Sequence, residues 1–132
     1  MMTWRKTWRG GAVAGTLMLG AALTVAVAAP VGAAGNPPCF VNNDGSLQCG
    51  NTAPTPVHER PMFGPNGRTV DTLRSNPSWF SCWTTGAYNG SNYIWYATYG
   101  DNTGEWGYVP ATMVFTPNDP YVDSAGRRVR HC

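Results

Sequence analysis

The sequence predicts a small all-β protein, a β-barrel of five to six short strands with a disulfide-closed β-hairpin before it and an irregular tail after it. Three observations lead there. Residues 79–114 hold four of the six Trp (Trp79, Trp83, Trp95, Trp106) and five of the six Tyr, in a run broken by clusters of Gly, Asn and Asp. Aromatic and β-branched residues bounded in this way mark strands and tight turns. The chain is also dense in turn residues, with 16 Gly and 11 Pro. No apolar pattern of helical period lasts beyond one turn, and there is no heptad run or long internal repeat.

Taken in order, the chain begins with a leader. Residues 1–9 carry Arg5, Lys6 and Arg9, residues 11–27 are uncharged and apolar, and small residues continue through Ala34. This is the pattern of a secretory signal peptide, with cleavage expected after Ala33 or Ala34 and Ala28 as the alternative. The apolar run is short and weakly hydrophobic for a permanent span. A secreted, extracellular protein with no stable membrane anchor is therefore expected. The segments that follow are a hairpin and Pro/Thr linker over 35–56, the barrel over 57–116 and the tail over 117–132. Setting aside the three leader cations leaves six Arg against seven acids, a net of −1. Bulk charge of that size gives no reason to expect nucleic acid as a partner.

Four Cys in a short exported chain imply a disulfide framework, with three possible connectivities. Between Cys39 and Cys49, Asn43-Asp44-Gly45 reads as a three-residue hairpin loop with Gly45 left-handed. Register then pairs Asn42 with Ser46, Val41 with Leu47, Phe40 with Gln48 and Cys39 with Cys49. Directly opposed residues of an antiparallel pair lie within disulfide range. Cys82 and Cys132 are left to each other, tying the tail to a central strand. No C-x-x-C is present, and His58 and His131 lack zinc-like spacing, so no metal and no cofactor are expected.

A hairpin this small must dock on the barrel or hang from it. Residues 51–56 (NTAPTP) form the linker, and 57–60 a brief strand stopped by Pro61. Gly64-Pro65-Asn66-Gly67 makes 62–68 a loop, and 69–73 (TVDTL) alternates as a strand should. Residues 74–78 turn into the aromatic run, which divides into three strands at 84–92 and 100–104. A turn at 110–112 and a last short strand at 113–115 complete the barrel. Along 93–99 both faces carry rings, Tyr93, Trp95 and Tyr99 on one and Tyr96 on the other. Either the hairpin or tail covers one face, or an aromatic patch is exposed.

These residues carry a resemblance. Val57-His58-Glu59-Arg60-Pro61, Val70-Asp71-Thr72-Leu73, Trp95-Tyr96 and Gly107-Tyr108-Val109-Pro110-Ala111-Thr112-Met113-Val114 resemble the bacterial SH3-like domain family. Cys82-Trp83-Thr84-Thr85-Gly86 is similar to a run in the small secreted SH3-like proteins of actinobacteria. The likeness spans about residues 57–115. It implies a ligand groove lined by Arg60 and Phe63 on one loop, Tyr88 on the next, then Trp95 and Pro110. An extended peptide or sugar-peptide would pack on those rings.

Against that, few aliphatic residues are available, so the core is expected to be largely aromatic, with about three of the four later tryptophans mostly buried. Catalysis finds no constellation. His131 adjoins a Cys expected in a disulfide, His58 and Glu59 point to opposite faces of one strand, and Asp101 and Glu105 sit in ordinary turn sequence. The expectation is a non-catalytic binding module for cell-wall peptide (peptidoglycan) or another extracellular protein. The alternative is a small secreted effector or inhibitor acting through a loop or through Arg127, Arg128 and Arg130 of the tail.

Overall fold

A computed structural model describes Asn36–Cys132; the expected signal peptide lies outside the described residues. The strands are β1 (Phe40–Val41), β2 (Leu47–Cys49), β3 (Thr55–His58), β4 (Thr69–Leu73), β5 (Ser78–Phe80), β6 (Cys82–Thr85), β7 (Ile94–Tyr99) and β8 (Trp106–Pro110), with 3-10 turns at Pro65–Gly67 and Ala111–Met113. The all-β class holds. The strands form two antiparallel sheets, one ordered β1-β2-β5 and the other β4-β3-β8-β7-β6.

The hairpin has the expected register, Phe40 opposite Gln48 and Val41 opposite Leu47, and Asn42 N donates to Ser46 O at 2.8 Å. Gly45 sits at φ 88°, the left-handed position the loop requires. Cys39–Cys49 and Cys82–Cys132 are the two disulfides. The hairpin is no appendage, because β2 pairs along its length with β5.

The expected barrel is corrected, because the five-stranded sheet does not close on itself. β4 and β6 are its two edges and do not pair with each other. The cause lies at Ser81, the single residue between β5 and β6. On one side of it the run pairs with the hairpin, and on the other with β7. One continuous segment thus serves both sheets. Each open edge is covered by irregular chain, which blunts it against pairing with other molecules. At β6 the tail lies alongside: Trp83 N donates to Arg130 O at 3.0 Å and Cys132 N to Trp83 O at 2.9 Å. At β4, Asp101 N donates to Thr72 O at 2.8 Å.

Two element boundaries also move. β3 begins two residues before the expected strand and includes Pro56, tolerated because β3 meets β8 only at His58. The expected strand at 113–115 reduces to one bridge, Asn51 to Val114, after the 3-10 turn.

The core between the sheets is less aromatic than expected. Its members are Val41, Leu47, Val57, Leu73, Val109, Val114 and Val129, with Phe80, Tyr96 and Tyr121 as the rings. Three of the four later tryptophans are mostly buried, as expected: Trp95 is fully buried though outside this cluster, Trp83 packs against it and Trp79 is half-buried, while Trp106 is 39% exposed. Small β-branched and leucine side chains from both sheets, with Val114 and Val129 from the segments after β8, supply most of its members and share it with those three rings. The second ring-bearing face of β7 is covered, as one of the two expected outcomes had it. Tyr96 lies under the tail, its hydroxyl donating to Asp119 at 2.8 Å and accepting from Tyr121 N at 3.0 Å.

Candidate functional site

Rings the core does not take up are left at the surface. Phe63, Tyr88, Tyr93, Tyr99 and Trp106 are each more than a third exposed, and they fall into two groups.

The first group is built on loops. Trp95, at the start of β7, is fully buried and donates its indole N–H to Ala87 O at 2.8 Å. Ala87 N in turn donates to Pro61 O at 2.9 Å. The first bond fixes the 86–93 loop to β7, and the second joins that loop to the 59–68 loop. Phe63 rests on Trp95 with centroids 5.0 Å apart, and His58 meets both rings edge-on. His58 is itself fixed, its Nδ1–H donating to Gly67 O at 2.7 Å. On the second loop Tyr88 and Tyr93 lie 5.4 Å apart, and Asn89 ties their turn together through Asn92 and Ile94. Arg60 is exposed and has no ion-pair partner among the described residues, since Glu59 pairs with Arg68.

Of the five groove residues implied by the resemblance, the structure therefore leaves Arg60, Phe63 and Tyr88 open to a ligand. Trp95 and Pro110 are corrected. They are direct cross-strand partners, as their proposed adjacency requires, but both are buried. Phe63 and the loops close over Trp95, so it supports the surface from beneath instead of forming it. Tyr93 joins the exposed set. Its place in the alternation of 93–99 was the available signal; its pairing with Tyr88 across a loop was not.

The second group sits at the opposite end of β7. Tyr99 and Trp106 face each other across the β7–β8 ladder at 4.7 Å, and Trp79 lies parallel to Tyr99 at 6.0 Å. The loop between them is pinned by Asp71. Its carboxylate accepts from Thr72 N, Asn102 N, Thr103 N, Thr103 Oγ1 and Glu105 N, all at 2.7–3.1 Å. Burial pushes the Asp71 carboxyl up, but the backbone N–H groups of Thr72, Glu105, Thr103 and Asn102 together outweigh it and hold it well below the usual carboxylate range. Asp101 is lowered in the same way, burial opposing and Arg74 N and Ser75 N prevailing. The alternation of 93–99 marks Tyr99, but not its grouping with Trp79 and Trp106 or the part Asp71 plays. The alternation that sets Asp71 beside Leu73 was a usable signal for its burial, but nothing local names its donors 31 to 34 residues away.

No protein-family model, curated protein or solved structure matches this chain.

The tail is a docked element. Arg130 donates through Nε to Ser81 O at 2.9 Å and through a terminal nitrogen to Ser81 Oγ at 2.7 Å, and Arg127 pairs with Asp123. Its rings and chain are likewise engaged, with His131 4.3 Å from Trp83. Among the described residues, no three His, Cys, Asp or Glu side chains gather as metal ligands, and no helix is long and apolar enough to cross a membrane.

Proposed function

We propose that the protein is a secreted, SH3-like binding module without catalytic activity, which recognises cell-wall peptide or a peptide segment of another extracellular protein. The observation that carries this reading is the surface formed by Phe63, Tyr88 and Tyr93 on two loops locked together over Trp95. Two formed disulfides fit an extracellular setting. Exposed rings held by rigid support offer a large apolar area at small ordering cost, which is how binding surfaces concentrate affinity. The exposed Arg60 on the Phe63 loop, which has no ion-pair partner among the described residues, suits a carboxylate of a peptide ligand. An effector working through Arg127, Arg128 and Arg130 is less favoured, because two of the three are already bonded within the fold.

The test is retention on purified peptidoglycan and on a panel of extracellular proteins. Wild-type protein is expected to be retained on at least one. Tyr93→Ala combined with Phe63→Ala is expected to lose about tenfold or more in affinity with its melting transition kept. Retention unaffected by that pair would defeat the assignment of the surface, and absence of retention on peptidoglycan would remove the cell-wall ligand.

A further inference from the structure

A pocket of about 220 Å3 opens where β4, the turn after it, β5 and the end of β7 meet. It belongs to the second ring group, at the end of β7 away from the Phe63–Tyr88–Tyr93 surface. Its lining has two chemistries. Trp79 and Tyr99 supply ring walls, parallel within 9°, and Tyr99 is braced edge-on by Trp106. Ser75, Ser78 and Asp101 supply hydroxyls and a carboxylate.

These polar groups are already in place. Asp101 Oδ2 accepts from Arg74 N at 2.6 Å, Ser75 N at 2.9 Å and Ser75 Oγ at 3.0 Å. Ser75 Oγ and Ser78 Oγ lie 2.6 Å apart. Asp101 Oδ1 accepts no hydrogen bond from the described residues, so one oxygen of a fixed carboxylate is free for a ligand. The loop that carries Asp101 is pinned in turn by Asp71. A site organised before its ligand arrives loses little on ordering.

Flat rings beside hydroxyls and a carboxylate match one class of ligand in particular. The C–H bonds on the face of a sugar ring carry slight positive charge and lie well against the negative face of an aromatic. Hydroxyls around its rim donate to a carboxylate and to the serine oxygens. The volume falls below the roughly 300–1,000 Å3 of sites for drug-sized ligands, which suits one ring. A quaternary ammonium also favours ring faces and a carboxylate, but its nitrogen carries no N–H to donate to Asp101 Oδ1 or to the Ser75 and Ser78 oxygens, whose own hydrogens are already donated within the site. We propose that this pocket is a carbohydrate subsite that takes one pyranose unit of an extracellular glycan. It stands apart from the peptide surface and does not depend on it.

The experiment titrates the purified, disulfide-intact protein with chitotetraose, cellotetraose and maltotetraose, followed by tryptophan emission and calorimetry, with choline chloride as the rival class. At least one oligosaccharide is expected to saturate below about 10 mM. Tyr99→Ala is expected to weaken that binding about tenfold or more, whereas Tyr93→Ala leaves it unchanged. Tyr99 is 53% exposed, and if its alanine variant does not fold, Tyr99→Leu keeps the apolar bulk and carries the same expectation. The proposal is overturned if none of the three sugars saturates, if the folded Tyr99 variant binds as wild type, or if choline chloride binds while the sugars do not.

Discussion

Asp71, Gly100 and Tyr96 show how much of this fold rests on single side chains. A Cβ at Gly100 would come within 2.1 Å of the Asp71 carboxyl carbon. Gly100→Ala must therefore push that carboxylate off donors buried with it, and is expected to lower stability by about 2 kcal/mol or more, read from urea denaturation. The depressed Asp71 carboxyl also has a signed effect on pH. Its stabilisation is complete above the unfolded aspartate value of about 4 and is lost as pH falls from there toward its lower folded value. Between about pH 4 and pH 2 the wild type should lose more stability than Asp71→Asn does; parallel pH profiles of the two would contradict the assignment. Tyr96→Phe leaves Tyr121 N without its acceptor in a buried site and is expected to cost about 1–3 kcal/mol, measured the same way. Burial, then the neighbouring charge and hydrogen bond of Asp119, push the Tyr96 hydroxyl well above its ordinary range, so it stays a donor across that experiment. None of these roles was legible beforehand. Residue types along 69–73 mark Asp71 as inward, but a donor set from a loop far along the chain leaves no local trace.

Among the elements, the hairpin was the most legible, since Asn43-Asp44-Gly45 sets its own register through a left-handed glycine. Its partner strand was not, because β2 meets β5 about thirty residues later and neither sequence specifies the other. The two disulfides followed from that register and from elimination. They are expected to contribute unequally. The Cys82–Cys132 bridge closes a separation of 50 residues and the Cys39–Cys49 bridge one of 10, so chain entropy gives about 4 against about 2.7 kcal/mol. Replacing Cys82 and Cys132 together by Ser should lower the denaturation midpoint more than replacing Cys39 and Cys49, and should also release the tail from β6, seen as faster amide exchange at Trp83 and at position 132. Equal losses, or an undisturbed Trp83 amide, would contradict the view of the tail as an edge cover.

For the whole molecule, the class and most strand positions could be read because ring-rich segments and Gly or Asn breaks alternate so plainly. Closure into a barrel could not, since it depends on which edges meet, and a single residue at Ser81 sends one strand into two sheets. The core is less aromatic than the composition suggested. Seven Val and Leu residues share the space between the sheets with Phe80, Tyr96 and Tyr121, and Phe63, Tyr88, Tyr93, Tyr99 and Trp106 are left exposed. That surplus is what makes two separate surfaces available, one on the loops around Trp95 and one around Tyr99.

Oxidative footprinting of the ring side chains, with and without sonicated peptidoglycan, tests that division of labour most directly. In the free protein Phe63, Tyr88 and Tyr93 should react readily and Trp95 should not. On binding, those three should become protected together. Reactive Trp95 in the free protein, or binding that leaves Phe63, Tyr88 and Tyr93 as reactive as before, would contradict it.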